Sequence, residues 1–95
     1  MGFTRDQLVE RAKQDLAERL DVGAGDVTEI SVNEREFPDM SLGAPVDGEM
    51  SAQMIATGWE MKFGVDSAEY EYRADPYQLR LVDFDGENYL VDEVK

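Results

Sequence analysis

Ninety-five residues with 42% apolar side chains, four Phe, four Tyr and one Trp suffice for one hydrophobic core and are too few for two. The chain has no cysteine and no histidine, which excludes disulfides, thiolate nucleophiles, His-based triads and Cys- or His-ligated metal sites; any catalysis would rest on carboxylates, Ser/Thr, Lys or Tyr. A net charge of −13, from 22 acidic against nine scattered basic residues, repels nucleic-acid phosphates and anionic membranes and attracts a basic partner or cations.

Thr4 followed three residues later by Gln7 forms a capping box, and Phe3 is placed to staple onto Leu8. Leu8, Val9, Ala12, Leu16, Ala17 and Leu20 then recur at helical spacing, which predicts an amphipathic helix over about 4–21, with Gly23 as its stop. After Gly23 the period changes to two. Strands are expected at about 27–37, with Thr28, Ile30 and Val32 on the buried face, and at 52–64, where Ile55, Thr57, Trp59, Met61 and Phe63 alternate with Ala56, Gly58 and Lys62. Further strands are expected at 68–73, 78–84 and 88–94, with Asp85-Gly86 carrying the chemistry of a type I′ hairpin turn. One helix followed by hairpin upon hairpin predicts a single α+β domain, residues 1–95: an N-terminal amphipathic helix packed on a four- to five-stranded antiparallel meander. No stretch approaches the roughly 18 apolar residues a membrane helix needs. The N-terminus, Met1-Gly2-Phe3-Thr4, lacks the basic and apolar regions of a secretory signal, so a cytoplasmic protein is expected.

Between the first two strands lies a stretch with neither period, 38–51. Pro38 and Pro45 restrict its backbone and Gly43 and Gly48 permit turns, while Met40, Leu42, Val46 and Met50 give it something to pack, so a compact Ω-like loop with one conformation is expected. Loops of this length in small domains are often functional. Other motifs carry less. Asp83 to Asn88 has its glycine at the wrong position for an EF-hand and reads as a hairpin turn. Met40, Met50, Met54 and Met61 have no His or Cys to complete a soft metal site. Glu69 and Glu71 share a strand face and could form an acid/base pair, but exposed faces of acidic proteins look the same.

The run Phe37-Pro38-Asp39-x-Ser41-Leu42-Gly43-x-Pro45-x-x-Gly48, then Ala52-Gln53-x-Ile55-x-Thr57-Gly58-Trp59, then Tyr70-x-Tyr72, resembles a small uncharacterised prokaryotic domain family. Members of that family read Trp-Pro-Asp-x-Ser-Leu-Gly-Cys-Pro-x-x-Gly, Ala-Gln, Thr-Pro-Gly-Tyr and Tyr-x-Tyr-His. The likeness spans roughly Ala12 to Val82 and implies no established activity. Phe37, Ala44 and Arg73 replace the family's Trp, Cys and His, so chemistry resting on that Cys or His is closed to this chain. Gln53 to Gly58 is also similar to the Gln-x-Val-x-Gly hairpin of cystatin-type inhibitors, with one residue too many. The acidity itself resembles that of proteins from salt-loving organisms, in which dense carboxylates keep the fold hydrated.

The expectation for function is a non-catalytic protein-binding module using the loop from Pro38 to Gly48. Met40 and Leu42 would be apolar anchors, Asp39 and Asp47 polar positioning groups, and Pro45 part of the contact surface, with Leu42 as hot spot. Two alternatives stand beside it: a small carboxylate-dependent enzyme using Asp39, Glu69 and Glu71, and a structural or small-ligand domain whose loop is closed over Leu42 and Met50. No cofactor is indicated. The expected partner is a protein, not nucleic acid or membrane, and the sequence specifies no oligomeric state.

Overall fold

The computed structural model describes residues 2–94. The capping box forms as its residue types dictate: the Thr4 hydroxyl accepts from the Gln7 amide at 3.1 Å, and the Gln7 side-chain oxygen accepts from the Thr4 amide at 2.9 Å. Helix α1 runs from Arg5 to Leu20 and buries Leu8, Val9, Ala12, Asp15, Leu16 and Ala17. Its stop is not Gly23. Asp21 takes the left-handed conformation (φ 55°, ψ 50°), which Asp tolerates because its short polar side chain can satisfy local backbone groups. Gly23 instead precedes a short 3₁₀ turn, Ala24–Asp26.

Five strands follow: β1 Thr28–Phe37, β2 Ala56–Val65, β3 Ala68–Asp75, β4 Gln78–Phe84 and β5 Glu87–Glu93. They form one antiparallel sheet in the order β1-β2-β3-β4-β5, an α+β meander with α1 against one face. That face carries Met61, Phe63, Val65, Tyr72, Ala74, Leu79 and Leu81, which close with the helix stripe into the main core. Burying side chains of this size is worth roughly 1.5–3 kcal/mol each. The β4–β5 turn has positive φ at both Asp85 and Gly86, as a type I′ turn demands. No helix among the described residues is long and apolar enough to cross a membrane.

Two strands depart from the sequence reading, β1 along most of its length and β2 at its first residues. In β1, Thr28 is exposed and Ile30 is 48% exposed, and the register shifts between Glu29 and Ser31. Only Val32 of the expected buried face packs on the main core, so β1 is a largely solvated edge strand. In β2, pairing begins at Ala56 rather than at residue 52, and Ile55 and Thr57 are exposed while Ala56 and Gly58 are buried. Apolar cover here comes from the opposite side of the sheet.

One polar group lies inside the helix–sheet core. The fully buried Tyr72 hydroxyl donates to Asp15 at 2.8 Å, and Arg19 donates to the same carboxylate oxygen at 2.7 Å while lying over the rings of Phe84 and Tyr89. Burial and the Asp15 contact push the Tyr72 phenol well above its ordinary pKa, so it acts as a neutral donor. Tyr72→Phe is expected to cost about 1–2 kcal/mol in urea denaturation, the loss of a hydrogen bond to a charged acceptor with no new cavity.

Candidate functional site

The second face of the sheet, away from α1, is covered by the segment 38–55. It leaves β1 at Phe37, runs across the strands as an inner limb (38–45), turns over at 46–49 and returns as an outer limb (50–55) into β2. The inner limb is built from the Asp-x-Ser-Leu-Gly run. One oxygen of Asp39 accepts from the Ser41 amide at 2.9 Å, the Ser41 hydroxyl at 2.6 Å and the Gly43 amide at 3.1 Å. The Ser41 and Gly43 contacts hold the Asp39 carboxyl below its ordinary pKa. This wraps the backbone tightly enough to place Leu42 and Gly43 at φ 61° and 68°. A left-handed leucine costs on the order of 1 kcal/mol, offset here by complete burial of its side chain against Phe37 and Ala56.

The sheet then grips the limb through its carbonyls. Arg73 donates to Leu42 O at 2.9 Å, Gln78 to Met40 O at 2.7 Å, Arg80 to Ala44 O at 3.1 Å and Asn88 to Pro45 O at 2.9 Å. Gly43 leaves room for the first of these, since a Cβ there would lie 2.9 Å from Arg73 Nη1. Arg80, 3% exposed, also pairs through two nitrogens with both oxygens of Glu49, at 2.6 Å each. The paired arginine holds the Glu49 carboxyl below its ordinary value. A second bond from the Val46 amide to Glu49 Oε1, at 3.2 Å, ties down the turn. Irregular backbone in such a loop must satisfy its carbonyls somewhere, and here side chains of three strands do it.

The expected site residues therefore separate. Leu42 is 0% exposed and cannot be the apolar anchor of a contact surface; it belongs to a small core between loop and sheet, because the Asp39 turn directs it inward. Asp39 is committed to its own loop, and Met40 is half-buried on the same small core. Pro45 and Asp47 are exposed. With Val46 they face Asn88, Tyr89 and Leu90 across a groove of about 560 Å³. The closed-loop alternative is right about Leu42 and wrong about Met50, which is 97% exposed. The carboxylates of the enzyme alternative do not form one site. Glu69 and Glu71 line a cleft of about 260 Å³ with Lys62 and Asp83, where Glu71 is ion-paired to Arg73 at 2.6 Å, and Asp39 is not part of it.

What sequence reasoning missed is the anchoring set, Arg73, Gln78, Arg80, Asn88 and Glu49, and the exposed outer limb. Met50, Met54 and Ile55 stand 97%, 64% and 70% exposed on a limb that the Met40 amide ties to Ala52 O at 3.0 Å. The signal for the anchors was the alternation Leu79-Arg80-Leu81, which turns Arg80 to the face the loop covers.

No curated protein and no solved structure matches the chain. The model of one family, described as a domain of unknown function (DUF8738), matches residues 9–82, which take in most of α1, the whole anchored loop and the sheet as far as β4. By that match, the chain belongs to the DUF8738 family.

Proposed function

We propose that this domain is a non-catalytic protein-binding module whose contact surface is the outer side of the 38–55 loop: Pro45 and Asp47 at the turn, and Met50, Met54 and Ile55 on the outer limb. The observation that carries the reading is the exposure of those last three side chains on a segment whose inner neighbour is fixed to the sheet at four carbonyls. Three large apolar side chains left in water within six residues make this segment the candidate interaction surface. A loop already held in one conformation also spares a complex much of its ordering cost. Asp39, Met40 and Leu42 keep a part in this reading as the support beneath the surface.

The burial of Leu42 favours a second role, closure of the open sheet face, and the two are compatible because they use opposite sides of one loop. The Asp39 carboxyl, held ionised by its three donors, is the reverse of a general acid.

The double variant Met54→Ser/Ile55→Ser changes two exposed positions, so its stability should stay within about 0.5 kcal/mol of wild type. In affinity capture from a lysate of the source organism it should lose a protein that the wild-type domain retains. Retention of the same proteins by both would remove the outer limb from function.

A further inference from the structure

The sheet order β1-β2-β3-β4-β5 leaves two strands with an unpaired edge, β1 and β5. Half the amide and carbonyl groups of an edge strand point away from its one partner, and a further extended chain can pair with them. β1 resists such pairing through charge, since Glu34, Arg35 and Glu36 follow one another along it. β5 does not. Its pairing with β4 skips Val91, and the other register shift places the extra residue on β4, where Asp83 stands at φ 51°. From Glu87 to Leu90 the edge of β5 is therefore continuous, and Asn88-Tyr89-Leu90 carries no charge.

The loop turns that edge into a groove. Its inner limb crosses the strands in order, with Leu42 O on Arg73 of β3, Ala44 O on Arg80 of β4 and Pro45 O on Asn88 of β5, so the 46–49 turn lies beside the last strand before Glu49 returns to Arg80. The groove of about 560 Å³ has Pro45, Val46 and Asp47 as one wall and the unbroken run from Gly86 to Leu90 as the other. A groove on one face of a strand is lined by alternate residues; a consecutive run means that the edge itself faces it. An added strand, about 3.4 Å per residue along its axis, 4.8 Å from its neighbour and 10 Å through the sheet, fills roughly 160 Å³ per residue, so the groove holds roughly three to four residues, the length of the continuous edge. Its middle is apolar, with Val46 half-buried and Leu90 37% exposed. Its rim has one sign. Asp47 and Glu87 line it, Asp85 stands exposed at the hairpin turn, no Lys or Arg lines it, and none of these three carboxylates is paired with a cation among the described residues.

We propose that the β5 edge from Glu87 to Leu90 takes an extended segment of a partner protein as a further strand, its apolar side chains toward Val46 and Leu90 and its Lys or Arg toward Asp47, Asp85 and Glu87. Main-chain bonds supply the affinity of such pairing, and the two walls select the side chains. A second copy does not fit: β5 carries Glu87, Asp92 and Glu93 with no basic residue, so two such edges would set carboxylate against carboxylate. An acidic segment is repelled in the same way, and a neutral one gains nothing from the rim. The proposal rests on the reading of the loop turn, Pro45 and Asp47, as a contact surface, and it does not use Met50, Met54 or Ile55.

The test is selection of a displayed random-peptide library on the wild-type domain near physiological salt, with counter-selection on Asp47→Asn/Glu87→Gln. The control for general acidity is Glu29→Gln/Glu36→Gln, which removes the same two charges from exposed positions of β1. The expected peptides alternate apolar residues with Lys or Arg, bind wild type and the β1 variant alike, and bind the groove variant at least about tenfold more weakly. Once bound, such a peptide slows amide exchange within Glu87 to Leu90, and methylating alternate backbone amides of the peptide abolishes binding. Groove-dependent peptides without Lys or Arg would overturn the partner chemistry. Unchanged exchange in β5, or tolerance of every N-methyl group, would overturn strand addition. Failure to enrich any groove-dependent peptide, or a wild-type dimer in sedimentation with the β5 amides protected, would overturn the proposal as a whole, while the outer limb stands or falls separately on capture by Met54→Ser/Ile55→Ser.

Discussion

Gly58→Ala is expected to be the most damaging single-methyl change in this protein, costing about 3 kcal/mol or more and abolishing soluble expression if the margin is small. A Cβ at Gly58 would lie 1.9 Å from Ala74 O, 2.8 Å from Ala74 C and 2.9 Å from Asp75 Cα. All three are main-chain atoms of the neighbouring strand, so no rotamer can yield; β2 and β3 must part. They would part where Trp59 pairs with Ala74, beside the buried Asp75 whose carboxylate accepts from the Tyr77 amide at 2.8 Å to shape the next turn. Gly64 on the same strand is the control. A Cβ there would meet the tip of Ile30 at 3.1 Å, a flexible side chain on a solvated edge strand, so Gly64→Ala should cost less than about 1 kcal/mol. Urea denaturation of the two variants reads the contrast, and equal losses would refute the close approach.

The same glycine shows how far sequence reasoning reached. Alternation placed it inside a strand, and the same period with one capped helix identified the α+β meander, but its close approach to Ala74 O is a tertiary contact. The special weight of 38–51 was legible too, since a run with two prolines, two glycines and four large apolar side chains is no solvated linker. What alternation cannot reveal is which side of a loop turns inward. Leu42 looks like an exposed anchor in a list of residues, and it is buried because three donors converge on Asp39 and force the chain into a left-handed turn there. Arg80 looks like the wet face of a half-buried strand, and it is dry because a loop from 36 positions earlier in the chain lies over it. Both facts belong to tertiary contacts. Met54 and Ile55 were read as the start of a strand for the same reason: their residue types suit a sheet, and nothing local states that pairing starts one residue later, at Ala56.

Arg80→Met should release the loop without unfolding the helix–sheet core. The side chain is nearly isosteric along its stem, but it removes the donors to Ala44 O, both oxygens of Glu49 and Gln78 Oε1. Taking one member from a buried ion pair costs about 3–5 kcal/mol, most of it from stranding the other charge. The Glu49 side chain keeps 21% exposure and can turn to water, which brings the expected loss below that range, to about 2–3 kcal/mol. Amide exchange locates the effect. The Val46 amide, bonded to Glu49 Oε1, and the Glu49 amide, bonded to Val46 O, should lose protection, while the β2–β3 ladder keeps it. Acid gives an independent check, with its sign fixed by Glu49. Its folded-state pKa is depressed below the ordinary 4.5, first by the Arg80 hydrogen bonds, so the pair's stability is fully present above pH 4.5 and lost as pH falls through the depressed value. Asp39 acts with the same sign below 3.8, chiefly through Ser41 and Gly43, and those bonds remain in the variant while the smaller attraction of Arg80 is lost. Wild type should therefore lose more stability than Arg80→Met between pH 4.5 and 3.8, and Glu49→Gln added to Arg80→Met should cost little further. A variant with unchanged Val46 exchange and the wild-type acid slope would show that the carbonyl contacts alone hold the loop.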